Sequence, residues 1–481
     1  MAGTQLSART LASLLGDWRD SGAAYASLAD RIRLLVIDGR VPVDSRLPAE
    51  RELAERLSLS RTTVTAAYRR LRDAGFLSSV RGSGSVTRLA GAPTMLSVPG
   101  DGGFLDLSKA TMPALPGLVD AARRGLDQLP CHLGGPGFDP VGTPELRAII
   151  ADRYTARGLP TRSDQIMVTI GAQHAIALLA RTLIGRGDRA LIEQPTYPHA
   201  YEALRAAGAR LVPVSVTADP DASAGGGAEG WDVTEIERAI RRTNPAMGYL
   251  MPDFHNPTGR SMSAGQRERV LAVAARQGTV VVADETTAEL NIDREDSPLP
   301  MAAYGDAVLI GSVGKTVWGG LRVGWIRAEQ ALIRKLIGVR APNDLGTPIL
   351  EQLVVTELLG RMGEILPLRR EQLRAGRDRL ESLLVARFPE WRVPHVHGGL
   401  ATWINLGSPV SSQLALAARS HGLLIAAGPR FGIDGAFERF LRVPLCYPVE
   451  ETERGVDALE AAWGSLLRHP VPETGYLADV V

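Results

Sequence analysis

The sequence predicts a multidomain chain. A small helical unit closed by a hairpin comes first, and a larger α/β unit follows, built on a mostly parallel sheet with a smaller α+β lobe at its C-terminal end. Three observations predict this. Apolar residues recur at helical spacing as far as Ala74. From Gln165 to Ile310, short apolar runs without alternation are separated by helical stretches, as in a sheet buried on both faces. Beyond residue 330 the pattern becomes a long helical region (345–387), then mixed strands and helices.

At 481 residues, with 45% hydrophobic and 22% charged content, the chain reads as a globular protein with more than one core. The longest apolar stretch, Val168 to Gly185, is broken by Gln173, His174 and Arg181, so no membrane span is expected. The first residues lack the plan of a secretory signal, and a cytoplasmic protein is expected. Cys131 and Cys446, far apart, predict neither a disulfide framework nor a metal site. A net charge of +1 argues against a chain that coats nucleic acid, but nine arginines against four acidic residues between Arg46 and Arg88 concentrate positive charge there.

Residues 8–18, with Leu11, Leu14, Leu15 and Trp18, predict a short amphipathic helix. A second helix runs from Tyr25 to Asp38 and stops at Gly39; a third opens at Pro48 with Leu53, Ala54 and Leu57 inward. After the tight Ser58-Leu59-Ser60, Ser60 is a good N-cap for a helix from Arg61 to Ala74, ended by Gly75. Phe76–Val80 and Ser83–Leu89 then predict two strands around Arg81-Gly82. This is the layout of a winged helix-turn-helix, whose last helix enters the major groove. The expected DNA contacts are Arg51, Ser60, Arg61, Thr62 and Thr65, with Arg81 and Gly82 at the hairpin tip. Leu47-Pro48-Ala49-Glu50-Arg51-Glu52-Leu53-Ala54, Leu59-Ser60-Arg61-Thr62-Thr63-Val64 and Gly82-Ser83-Gly84 resemble the signature of GntR-type winged helix-turn-helix domains. Domain limits of 1–90, a linker over 91–105 rich in Gly, Pro, Ala and Ser, and a large unit over 106–481 follow. Residues 218–229, with three successive glycines, predict a surface insertion.

In the large unit, Lys315 sits in a Gly/Ser turn after an apolar run, a setting that suits a lysine held in a half-buried pocket. Gly171-Ala172-Gln173 joins a strand to a helix N-terminus, where free N–H groups favour a phosphate. Asn256 lies in an Asn-Pro-Thr-Gly turn, and Asp284 ends a strand, pointing into the usual ligand crevice of a parallel sheet. The order of glycine turn, Asn-Pro-Thr-Gly, strand-end Asp, Ser312-x-x-Lys315 and Arg322 resembles fold-type I pyridoxal-phosphate enzymes of aminotransferase class I/II. The resemblance implies pyridoxal 5'-phosphate as cofactor, Lys315 as its Schiff-base lysine, Asp284 on the pyridinium, Asn256 on the phenolic oxygen and Tyr197 on the ring face. It further implies Ser312, Arg322 and Gly171-Ala172-Gln173 on the phosphate, and Arg442 on a ligand carboxylate.

A GntR-type reader joined to such a domain resembles the MocR subfamily of bacterial transcription regulators. That resemblance implies a double-stranded DNA operator, an amine or amino-acid effector, head-to-tail homodimers and a cytoplasmic, nucleoid-associated protein. Thr286 and Thr287 stand where the family carries a tyrosine after the aspartate, Gly137 replaces another tyrosine, and Gly314 stands where serine or alanine is common. Those departures favour a sensor over the alternative, a working aminotransferase with an autoregulatory DNA-binding domain.

Overall fold

The structure, a computed structural model, describes residues 6–16, 18–19, 23–37, 41, 45–80, 84–87, 104–217, 230–295, 298–433 and 435–467. Helices Ala8–Leu15, Ala24–Ile37, Glu50–Leu57 and Arg61–Asp73 form the N-terminal unit. Their apolar stripes, Leu11, Leu15, Leu28, Ile32, Leu53, Val64, Tyr68 and Leu71, meet in one core. Ser58 turns the chain with a left-handed φ of 53°, and the Ser60 hydroxyl caps the last helix by accepting from the Thr63 N–H at 3.1 Å. Strands Leu77–Val80 and Gly84–Thr87 pair antiparallel as the wing, and Arg46 bridges to Val86 on its outer side. The expected winged helix-turn-helix is the observed one.

The expected insertion at 218–229 and most of the expected linker lie outside the described residues. One boundary is corrected: Leu105–Asp106 is already a strand, parallel to Leu423–Leu424, so the linker cannot extend to 105. The cause is apolar, since Leu105 and Leu107 pack into the core of the C-terminal lobe.

The large lobe is an eight-stranded sheet. From one edge its strands are Ile166–Thr169, Gly324–Arg327, Val308–Ser312, Val280–Asp284, Met247–Leu250, Arg189–Gln194, Arg210–Thr217 and Gly230–Trp231. The five strands from Val308–Ser312 to Arg210–Thr217 are parallel. Both faces are buried: Val168, Val281 and Leu309 point into one core, Met167, Val282 and Ile310 into the other. Unbroken apolar runs are the sequence trace of such a sheet.

Two strands of this sheet were not expected. Gly230–Trp231 pairs antiparallel at the far edge. Gly324–Arg327 slots antiparallel between Ile166–Thr169 and Val308–Ser312. Glycine is required at 324, where a Cβ would lie 2.7 Å from the Gly171 carbonyl carbon and 2.8 Å from the Ala172 nitrogen. That close approach brings the turn of Lys315 against the start of helix Gly171–Leu183.

The smaller lobe carries the antiparallel strands Ala401–Asn405, Phe440–Pro444 and Ala426–Ala427, backed by helices Ser411–Ser420 and Val449–Leu467. Helix Met362–Arg387 runs between the lobes. Among the described residues no helix is long and apolar enough to cross a membrane.

Candidate functional site

Two adjoining cavities open where the lobes meet, of about 170 and 490 Å³. Lys315, Tyr197 and Asn256 line both. The smaller also takes Ala172, Gln173, Asp284, Ser312 and Arg322, so eight of the residues singled out in the sequence converge there. Gly171 stands just behind: its φ of +77° is left-handed, and a Cβ would meet the Arg322 Nη2 at 2.8 Å. Arg442 lies on the wall of the larger cavity.

Each side chain is held by its neighbours. Lys315 Nζ donates to the Ala110 carbonyl at 2.7 Å. Its turn is propped from behind by the buried Arg369, which donates to the carbonyls of Thr316 (2.8 Å) and Pro113 (2.7 Å). Removal from water, and then the Arg442 guanidinium, bring the Lys315 amine from its usual 10.5 down to about 8. The sign of the pH effect follows, because only the neutral amine attacks a carbonyl. The rate at which added pyridoxal phosphate produces a visible absorbance band is expected to rise between about pH 7 and 9 and then level off. A rate still climbing beyond about pH 10 would mean an ordinary exposed lysine.

Asp284 accepts from the Tyr249 hydroxyl at 2.6 Å, and from the Thr286 N–H (3.0 Å) and hydroxyl (2.7 Å). Sequence reasoning missed Tyr249. The signal was register: Tyr249 pairs with Val282, so it shares a sheet face with Asp284 two residues on. Burial, then the Asp284 carboxylate, push the Tyr249 hydroxyl well above the usual tyrosine range, so it stays a donor. Thr286 and Thr287 are not idle, since the Thr287 hydroxyl donates to the Asp253 carbonyl at 2.9 Å.

A second network missed by sequence holds the Asn256 turn. The buried Glu193 carboxylate accepts from Trp231 Nε1 (2.7 Å) and the Met251 N–H (2.9 Å) and lies 3.3 Å from His255 Nε2. His255 Nδ1 in turn meets the Thr258 hydroxyl at 2.9 Å. Arg442 is buried, rests on the Phe431 ring and donates to the Ser108 carbonyl, while its Nε has no partner among the described residues. Burial lowers its pKa to about 10, so it remains a cation at neutral pH.

On the winged helix, Arg51, Arg61 and Thr62 are exposed. The hydroxyl of Ser60 is spent on the cap, and that of Thr65 donates to Glu50 at 2.7 Å, holding two helices together. Arg81 and Gly82 lie outside the described residues.

The cavity residues suit pyridoxal phosphate: a lysine amine, a carboxylate, and an arginine with a helix N-terminus, with glycine at 171 and 324, where a Cβ would strike Arg322 or the Gly171–Ala172 peptide. Comparison agrees with that class of protein. Residues 115–459 match the aminotransferase class I and II family, and residues 24–86 match the bacterial regulatory proteins of the gntR family. The chain belongs to the aminotransferase class I and II family and carries a GntR-type helix-turn-helix domain ahead of it. It is 27% identical over 470 residues to the HTH-type transcriptional regulator YdfD of Bacillus subtilis (strain 168), covering 90% of this chain and 94% of that one. It is 30% identical over 300 residues to the 2-aminoadipate transaminase of Thermus thermophilus, covering 60% of this chain and 72% of that one. Among solved structures, LysN, the alpha-aminoadipate aminotransferase of Thermus thermophilus complexed with N-(5'-phosphopyridoxyl)-L-leucine, superposes with a TM-score of 0.68 at 27% identity. The match covers 76% of this chain and 94% of LysN.

Proposed function

We propose that the chain is a DNA-binding transcription regulator of the MocR type, acting at the nucleoid, whose aminotransferase-like domain senses pyridoxal phosphate or an amine or amino-acid effector through Lys315. Bound there, the cofactor would supply an aldehyde carbon open to amines and a ring that draws off electron density. Arg322, Ser312 and the Gly171-Ala172-Gln173 turn would hold its phosphate, Asp284 its ring nitrogen, Asn256 its phenolic oxygen and Tyr197 its face. Arg442 faces the larger cavity as a buried cation, and would orient an effector by its carboxylate.

The observation that carries the regulatory reading is the ownership of the larger cavity. Val36, from the second helix of the winged-helix unit, lines it together with Lys315 and Arg442. That helix packs on Ser411–Ser420, and Arg31 Nη1 lies 3.8 Å from Glu438 Oε1. A ligand filling this cavity therefore meets the DNA-binding unit directly, which gives it differential contacts with docked and released arrangements. The exposed apolar side chains Val119, Leu126, Leu133, Phe138 and Leu350 support pairing with a second copy.

The test starts from duplexes selected out of a random pool by the full chain, with their affinity then followed by fluorescence anisotropy while cofactor and a panel of amines are added. One amine is expected to change Kd by about 5- to 150-fold. Arg61→Ala is expected to weaken binding about tenfold and to lower the salt slope by about one. Indifference to cofactor and to every amine would reject sensing, and failure to enrich any duplex would reject the regulator. Tyr249 on Asp284, together with the lowered Lys315, favours a second reading as a working transaminase, which turnover of an amino donor with a keto acceptor would establish.

A further inference from the structure

Away from both cavities, two histidines and a carboxylate converge at the seam of the lobes. His395 and His397 flank the inward Val396 on an extended stretch, so both rings stand on the outer face, 5.0 Å apart between centroids. Asp293, from the segment that follows the strand of Asp284, reaches the same place. Its Oδ1 lies 2.9 Å from His397 Nδ1 and its Oδ2 3.6 Å from His395 Nε2. The three donor atoms all fall within 4.8 Å of one another.

The partners around them decide what these atoms can do. His395 Nδ1 faces Glu381 Oε2 at 2.8 Å. Two acceptors cannot share that distance, so the proton sits on Nδ1 and Nε2 is turned toward Asp293. By the same argument His397 Nδ1, 2.9 Å from Asp293 Oδ1, carries a proton that an incoming ion would have to displace. At 3.6 Å the pair His395 Nε2 and Asp293 Oδ2 is too far apart for a hydrogen bond. It is close to the edge of a tetrahedron around a zinc ion, about 3.3 Å for bonds near 2.0 Å. Arg377 donates to Asp293 Oδ2 at 2.6 Å and orients the carboxylate, as Glu381 orients the ring of His395.

We propose that Asp293, His395 and His397 form a divalent transition-metal site, of the kind that takes Zn²⁺ with water as the fourth ligand. Two imidazoles and one carboxylate select Zn²⁺ over Mg²⁺, which prefers oxygen. The ion would tie together segments already joined by the Ile292 N–H to the His397 carbonyl (2.9 Å) and the Gly399 N–H to the Leu290 carbonyl (2.9 Å). On one side lies Thr287 and on the other Leu400, both lining the cofactor cavity, so the metal would stiffen the seam of the sensor.

The test uses the full chain without a histidine tag, stripped by chelator, with Zn²⁺ titrated against a chromophoric competitor. One Zn²⁺ per chain is expected, with a rise in the thermal midpoint that Mg²⁺ does not reproduce. His395→Gln and His397→Gln leave the Arg377–Asp293 pair intact and are expected to lower Zn²⁺ affinity at least tenfold and to abolish that rise. Glu381→Gln, which removes no ligand, is expected to lower affinity about tenfold. Absence of stoichiometric binding in the wild type would overturn the site. Binding that survives both histidine substitutions would overturn it equally, by assigning the ion to histidines elsewhere.

Discussion

Lys315→Ala is expected to leave a folded protein that develops no visible absorbance band with pyridoxal phosphate at any pH. The amine is the nucleophile the cavity presents to an aldehyde, with its Nζ held on the Ala110 carbonyl and its turn braced by Arg369. Truncation at the β-carbon leaves that brace in place, because Arg369 grips backbone carbonyls. The same variant is expected to lose any response of DNA affinity to amines while keeping the basal affinity, since its winged helix is untouched. Absorbance spectra and anisotropy on one preparation separate the two effects. A band that persists in the variant would move the reactive amine elsewhere and remove the basis of the sensor.

The largest loss of stability is expected at Asp253. Its carboxylate receives Arg267 Nη1 (3.1 Å) and Nη2 (2.8 Å) on its two oxygens, and Arg294 Nη1 at 2.9 Å. Arg267 is fully buried. Asp253→Ala would leave that guanidinium in the core without its anion, a change that typically costs about 3–5 kcal/mol. Arg267→Met is expected to cost less, because Asp253 keeps Arg294 and the methionine fills the space. Thermal unfolding of the two variants beside wild type checks the order, and equal losses would show that packing, not charge, dominates there. Asp253 lies three residues from Asn256, so a weaker hold on the cofactor is expected as well.

Much of the site was legible because its residues sit at strand ends and in turns whose composition has local causes. Asp284 closes an apolar run, Gly171 needs a left-handed φ, and Ser60 caps a helix. What escaped depends on register between distant segments. Tyr249 reaches Asp284 only because their strands are neighbours, and Glu193 meets Trp231 and His255 across 38 and 62 positions of sequence that no periodicity links. The strand Gly324–Arg327 was hidden for a similar reason, since four residues carry too little pattern to announce an antiparallel insertion. The contact of Val36 with the larger cavity belongs to the packing of one unit on another, which lies beyond any local signal.

The order of the sheet has a consequence for synthesis. The winged helix is complete once Thr87 has been made, and its core draws on its own residues alone. The strand Ile166–Thr169, by contrast, has no sheet neighbour until Gly324–Arg327 arrives, and the Lys315 turn lacks its brace until Arg369 follows. Arg442 comes later still. If the proposed function holds, a chain emerging from the ribosome owns a DNA reader long before it owns the cavity that would govern it. Nascent or prematurely ended chains would be ungoverned binders, and an operator that requires two half-sites on a paired full-length protein would be blind to them.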